Sequence, residues 1–192
     1  MIDLLATCAQ SVDQVTMSAV VKQESGGQPW ALFNNSRKTS AIHKSKAAAV
    51  AAAMTAVARG ESVDMGLAQI NSKNLAALGL SIEEVFDPCQ NVAAGAKILG
   101  AAYQRSGNLP GALSAYNTGS SKSKIGAVYS AKVFGQAGVV VPAIPGGRVA
   151  DLPNLPVLNG EILPPVRLTV RPSPFYSGLA PSSAVWGTSG WR

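Results

Sequence analysis

Histidine, cysteine and aromatic residues are all scarce in this 192-residue chain, and each scarcity closes a class of function. One histidine, His43, cannot complete a metal site. The two cysteines, Cys8 and Cys89, stand 81 positions apart, which excludes a local ligand pair. No metal and no cofactor is therefore expected. A Ser-His-Asp hydrolase would need His43 near a nucleophile, but no nucleophile motif lies beside it, and it reads as a surface residue. Aromatics make up 6% of the chain, and none interleaves with the loose basic cluster of Arg37, Lys38, Lys44 and Lys46. With no known nucleic-acid-binding motif either, nucleic acid is not an expected partner. No run approaches the roughly 18 continuous apolar residues of a membrane span. The alanine-rich stretch 47–58 is too short and too weakly apolar. Met1-Ile2-Asp3 places an acid early with no basic segment, so no secretory leader is legible.

What is present is enough apolar residue for a core. Hydrophobic residues make up 47% of the chain and charged ones only 14%, too apolar a balance for wholesale disorder. The length allows one domain plus an extension. The formal net charge is +6: residues 1–137 hold 12 Lys/Arg against 8 Asp/Glu, and the remainder holds 4 against 2. Such an excess is either a solvated face or an attraction for a polyanion.

Ser11-Val12-Asp13-Gln14 reads as a capping box that opens a helix, with Ser11 as the N-cap, running to about 24. Residues 26–45, with Gly26-Gly27, Pro29 and Asn34-Asn35-Ser36, read as loop. A helix spans about 46–59, closed by Gly60. Residues 61–71 read as extended or turn-like, followed by short helices near 72–78 and 82–86. Asp87-Pro88-Cys89-Gln90 is a strong start signal for a helix through about 105, with Asp as N-cap and Pro at the first position. Pro110 begins another helix ending near Tyr116, and a last one covers about 125–135. Nine of the twelve prolines lie after residue 138. They fix φ and remove backbone donors, so 138–192 reads as a disordered or extended linker or tail, by preference a plain tether and otherwise a segment that docks on a partner or is processed off.

Glu24 is the residue that breaks the pattern. Met17, Val20, Val21 and Glu24 fall at i, i+3, i+4 and i+7, so a carboxylate ends an apolar helical stripe. A glutamate in a helix's last turn is ordinarily a surface residue. On a buried face, lost hydration disfavours its charged form, and the helix's C-terminal carbonyls push the same way. An acid that keeps its proton near neutral pH is what protonating a glycosidic oxygen requires.

Two further segments follow in order. One is Gly66-Leu67-Ala68-Gln69-Ile70-Asn71, and the other is Ala115-Tyr116-Asn117-Thr118-Gly119. With Glu24-Ser25 before them, the three resemble the motifs of the lysozyme-like lytic transglycosylases. Gly60-Glu61-Ser62-Val63-Asp64-Met65-Gly66 and Val85-Phe86-Asp87-Pro88-Cys89 narrow the resemblance to the lytic transglycosylase component of type IV secretion systems. It covers roughly the first two thirds of the chain. The resemblance implies a mainly α, lysozyme-like single domain over 1–137, with the proline-rich tail outside it. It implies cleavage of peptidoglycan glycan strands between N-acetylmuramic acid and N-acetylglucosamine, with a 1,6-anhydro product, in the periplasm and beside secretion components. A hydrolytic lysozyme of the same fold and a non-catalytic wall-binding assembly factor are the rival readings.

By the same resemblance, Glu24 is the catalytic acid, and Ser25, Gln69, Tyr116 and Asn117 are substrate-binding. Each has an ordinary alternative. Ser25 terminates a helix through side chain-to-backbone bonding. Gln69 and Asn71 alternate with Ile70, which in extended backbone points both amides to one side, free for sugar or for loop backbone. Asn71 is given a supporting role, and Gly66 allows close backbone approach. Tyr116 is expected near the acid, its hydroxyl on Glu24 or on the sugar's N-acetyl group, or else half-buried in the core. Asn117-Thr118-Gly119 also makes an ordinary helix stop, and Tyr103 either lines the groove or packs. Most glycosidases use a second carboxylate; the candidates are Asp64 and Glu61, both read as loop or cap residues. In an oxidising compartment Cys8 and Cys89 are expected to form a disulfide rather than remain two buried thiols.

Overall fold

The structure, a computed structural model, describes residues 1–138. The expected tail, 138–192, lies beyond its first residue outside the described residues. The described part is mainly helical: α1 (Ile2–Cys8), α2 (Gln14–Ser25), α3 (Lys46–Ala58), α4 (Leu75–Leu78), α5 (Ile82–Val85), α6 (Pro88–Ser106), α7 (Leu109–Thr118) and α8 (Lys124–Gln136). A small antiparallel sheet sits beside them: β1 (Ala31–Asn34), β2 (Thr39–Ile42), β3 (Val63–Met65) and β4 (Ile70–Asn71), in the order β2-β1-β3-β4.

α6 is the organising element. Asp87 caps it, accepting from the Gln90 N–H at 3.0 Å, and Pro88 stands where a missing N–H costs nothing. Its buried positions include Asn91, Val92, Gly95, Ile98 and Leu99, more than one face of the helix, because α1, α5 and α7 pack around it. Gly95 marks the tightest approach. A methyl there would stand 2.7 Å from Ala68 Cβ, 2.8 Å from Met17 Cε and 3.2 Å from the Tyr116 hydroxyl. α2, α7 and the turn after β3 therefore meet at one point on α6, and those are the three segments that the motifs occupy.

Several expectations are corrected. Residues 26–45 are not simply loop: β1 and β2 form a hairpin with Ala31 opposite Ile42 and Asn34 opposite Thr39. Asn34-Asn35-Ser36 is its turn, where the Asn34 side chain accepts from the N–H groups of Ser36 at 3.0 Å and Arg37 at 2.9 Å. β1 is buried throughout because it lies between β2 and β3, whereas β2 is an exposed edge. α2 begins two residues later than its Ser11 box implies. Asp13 is the cap, accepting from the Val15 N–H at 2.9 Å, and Val12 is drawn back into a turn by bonding to Ala9. Helix α1 was not expected at all.

A disulfide ties α1 to the first turn of α6: Cys8 is bonded to Cys89, with 5.2 Å between the Cα atoms. It closes a loop of 81 positions, for which chain entropy gives a stabilisation of about 4.5 kcal/mol, a ceiling that strain and residual structure reduce. The double variant Cys8→Ser/Cys89→Ser should lose roughly 2–4 kcal/mol in urea unfolding. An unchanged midpoint would mean that the crosslink constrains nothing the core does not already hold.

Candidate active site

The last turn of α2 buries what its stripe predicts. Met17, Val20 and Val21 are in the core, and Glu24 is only 2% exposed. Gly26 ends the helix in the left-handed region, its N–H on the Lys22 carbonyl at 3.1 Å. Ser25 takes its ordinary role. Its hydroxyl donates to the Val21 carbonyl and accepts from the Gly27 N–H, both at 3.2 Å. The carboxyl beside it is held from the far end of the domain: the Tyr129 hydroxyl, on α8, donates to Glu24 Oε1 at 2.5 Å. Tyr129 is buried.

The tyrosine on Glu24 is therefore Tyr129 and not Tyr116. Tyr116 is buried nearby, but its hydroxyl donates to the Ala68 carbonyl at 2.7 Å. It holds the turn between β3 and β4. Asn91 on α6 holds the same turn from the other side. Its Nδ2 donates to the carbonyls of Met65 at 2.9 Å and Val85 at 2.7 Å, and its Oδ1 accepts from the Ala68 N–H at 2.7 Å. Gly66 has φ +76°, and a methyl there would collide with the Asn91 side chain, so the backbone approaches as expected of this glycine.

Gln69 departs from the extended reading. Its φ is +48°, and its Nε2 donates to the carbonyls of Gly66 at 2.8 Å and Ala31 at 3.3 Å. The amide closes the turn rather than sharing an open face with Asn71. A non-glycine residue in this region is strained, and these bonds offset the strain. Asn71 supports β3: its Nδ2 donates to Asp64 Oδ1 at 2.6 Å and to Ser62 Oγ at 3.0 Å, and its Oδ1 accepts from the Lys73 N–H at 3.0 Å.

The two other acids separate cleanly. Glu61 accepts from Arg59 Nε at 3.0 Å, from Asn34 Nδ2 at 2.7 Å and from Arg37 Nε at 2.7 Å. These donors, Arg59 first, hold its pKa down at about 2. It is a surface ion-pair hub. Asp64 is a strand residue, not a loop or cap residue, and is 0% exposed in β3. Burial pushes its pKa up to about 7 against the opposing pull of the Asn35 amide, then the Asn71 amide. Its Oδ2 is buried without a hydrogen-bond partner; the Asn35 amide stands beside it but outside bonding geometry.

A cavity of about 430 Å³ opens at Glu24. Gln23 and Asn117 line it from α2 and α7, and Tyr129 with Ile125, Val128 and Lys132 from α8. Gln69 and Tyr103 are not among the lining residues; Tyr103 packs on the core. His43 is half-buried at the end of the hairpin, where its N–H bonds the Trp30 carbonyl at 3.1 Å. Among the described residues, no group of three or more histidine, cysteine, aspartate or glutamate side chains is placed to hold a metal.

The profile of the Transglycosylase SLT domain matches residues 4–132. The chain belongs to this transglycosylase family. It is 33% identical over 145 residues to Protein virB1 of Agrobacterium fabrum, an alignment that covers 71% of this chain and 59% of that protein. It is 34% identical over 161 residues to the Type IV secretion system protein virB1 of Brucella abortus, covering 73% and 68%. A Protein virB1 of Rhizobium radiobacter is 31% identical over 144 residues, covering 71% and 60%. The chain thus spans about three fifths to two thirds of these relatives' lengths. No solved structure matches it.

In this SLT domain the electrostatics centre on Glu24. Burial pushes its carboxyl up to about 8; the Tyr129 hydroxyl opposes this and the charge of Asp64 adds to it. Folded Glu24 therefore binds its proton more tightly than unfolded Glu24, whose ordinary value is 4.5. The folded state is favoured most below that value and loses stability as pH rises through it toward 8. Glu24→Gln removes this contribution and leaves that of Asp64, whose carboxyl pKa is also raised by burial. The variant should be more stable than the parent at pH above about 8, by on the order of a few kcal/mol, with the difference vanishing near pH 4. Chemical denaturation across that range checks it. A variant less stable than the parent at high pH would mean that the fold accommodates the Glu24 carboxylate and that its pKa is not raised.

Proposed function

We propose that this chain is a peptidoglycan lytic transglycosylase with Glu24 as its single acid and base. The observation that carries the reading is a carboxyl that keeps its proton past neutral pH at the wall of an open cavity. Protonated Glu24 donates to the glycosidic oxygen between N-acetylmuramic acid and N-acetylglucosamine as that bond breaks. Tyr129 holds Oε1, so the transfer falls to the other carboxyl oxygen. The sugar's own N-acetyl carbonyl stabilises the developing cation at C1. Glu24, now a carboxylate, takes the proton of the C6 hydroxyl, whose oxygen attacks C1. The result is a 1,6-anhydro-muramoyl end and a reprotonated acid, with no water consumed.

Asn117 lines the cavity and contacts the sugar in this reading. Ser25, Gln69 and Tyr116 act through backbone, shaping the helix end and the turn beside the groove. Residues 1–137 are the catalytic unit, and 138–192 is an extension that lysis does not need. The basic surface suits a wall whose peptide stems carry free carboxylates. The name of the Brucella relative supports a place beside a type IV secretion apparatus, where the enzyme opens the wall locally from the periplasm.

Asp64 supports a second reading. It is a buried carboxyl with one unpartnered oxygen, near enough for its charge to raise Glu24. If it activates a water, the product is hydrolytic and the enzyme is a muramidase.

Mass spectrometry of digested wall separates these. The full chain should release anhydro-muropeptides, as should the chain truncated after residue 140. Glu24→Gln should release at least about a hundredfold less while remaining folded and wall-bound. Products one water heavier would replace the transglycosylase by the muramidase, with Asp64→Asn the next variant. Unchanged lysis by Glu24→Gln would overturn the site assignment.

A further inference from the structure

Helix α8 presents a second feature to the cavity besides Tyr129. Ile125, Val128, Tyr129 and Lys132 fall at i, i+3, i+4 and i+7, so they share one helix face, and all four line the cavity. In an ordinary surface helix such an apolar stripe packs into the core. Here only Tyr129 is buried, while Ile125 is 65% exposed and Val128 57% exposed. The rotation of α8 is fixed by close contact: a methyl on Gly126 would stand 2.7 Å from the Cα of Ser114 in α7. The chain cannot turn these two residues inward without parting α8 from α7. Lys132 ends the stripe, exposed, and among the described residues no carboxylate pairs with it.

An apolar wall followed by a lone cation beside the acid suits one part of the wall polymer. The muramic acid at the scissile bond carries a lactyl group whose carboxyl is joined to a peptide stem. That stem starts with alanine and continues with an acidic residue bearing a free carboxylate. Its first segment is therefore methyl groups and its second a negative charge. From Val128 to Lys132 the helix rises about 6 Å, and two extended residues span roughly 7 Å.

We propose that Ile125, Val128 and Lys132 form a subsite for the peptide stem of the muramoyl residue. The lactyl and alanyl methyls lie on Ile125 and Val128, and the free carboxylate of the second stem residue accepts from Lys132 Nζ. This deepens the reading of the site as a peptidoglycan transglycosylase and rests on it. It makes the enzyme selective for glycan that still bears its peptides, so strands stripped by an amidase are poorer substrates.

The test is binding by calorimetry to the full chain carrying Glu24→Gln, so that nothing is cut. The ligands are N-acetylglucosaminyl-N-acetylmuramoyl-alanyl-isoglutamate and the same disaccharide without the dipeptide. The expected result is tighter binding of the peptide-bearing ligand, about tenfold, as one charge-assisted contact allows. Adding Lys132→Glu should bring that ratio to about one, and Lys132→Arg should keep most of it. Val128→Ser should lower it by several-fold. Equal affinity for the two ligands, a ratio indifferent to Lys132→Glu, or no binding of either ligand would overturn the subsite. Anhydro product formation by the parent chain is read separately. Its absence with the ratio intact would count against the reaction and not against the subsite.

Discussion

A buried carboxyl held by one phenol is the constraint on which the rest depends. The bond from Tyr129 to Glu24 joins positions 105 apart in sequence and brings the end of α2 to the middle of α8. Without a partner, a fully buried carboxyl costs several kcal/mol, and with an ion partner it would lose its proton. A tyrosine does neither: it satisfies one oxygen and leaves the acid neutral at physiological pH. The opposing influences on Glu24, burial upward and the phenol downward, end at about 8 because burial is the larger. The proposed chemistry needs both states in one turnover, and a value near neutrality makes each reachable.

The surroundings hold that arrangement in place. Asn91 makes three bonds to backbone groups of the turn after β3 and of α5, and Tyr116 adds a fourth to the turn. Both side chains are buried, so each bond forms in a medium where its loss leaves an unpaired polar group. Gly95 lets α2, α7 and this turn converge on α6. The conformational strain at Gln69 is confined to the same turn. The proposed site thereby rests on helices and a clamped turn, with the disulfide fixing the first turn of α6 from outside.

How much of this was legible in the sequence follows from how local each signal is. The Glu24 stripe, the Asp87-Pro88 start and the Gly60 stop are read within a turn or two of helix, and each lies where expected. The choice between Ser11 and Asp13 as cap turns on one backbone bond, which pattern alone does not decide. Helix α1 is seven residues long and is fixed by packing and a distant cysteine rather than by its own stripe. The strands are two to four residues long, too short for period-two alternation to register. The Asn34 turn signal was visible, but its pairing partner was not. Tyr116 drew the role of Tyr129 because it belongs to a recognisable motif. Tyr129 carries no local mark beyond its place in an apolar stripe with Ile125 and Val128. Asn91 had no signal other than a polar residue where α6 should be buried.

The central claim is that Glu24 is a neutral acid in the resting enzyme. Its direct test is a titration of the Glu24 side-chain carboxyl, followed by carbon-13 chemical shift with Glu24→Gln as the assignment control. The account predicts a midpoint near 8, well above the ordinary 4.5. A midpoint at or below the ordinary value would mean a carboxylate at neutral pH, and the single-acid mechanism built on it would fail.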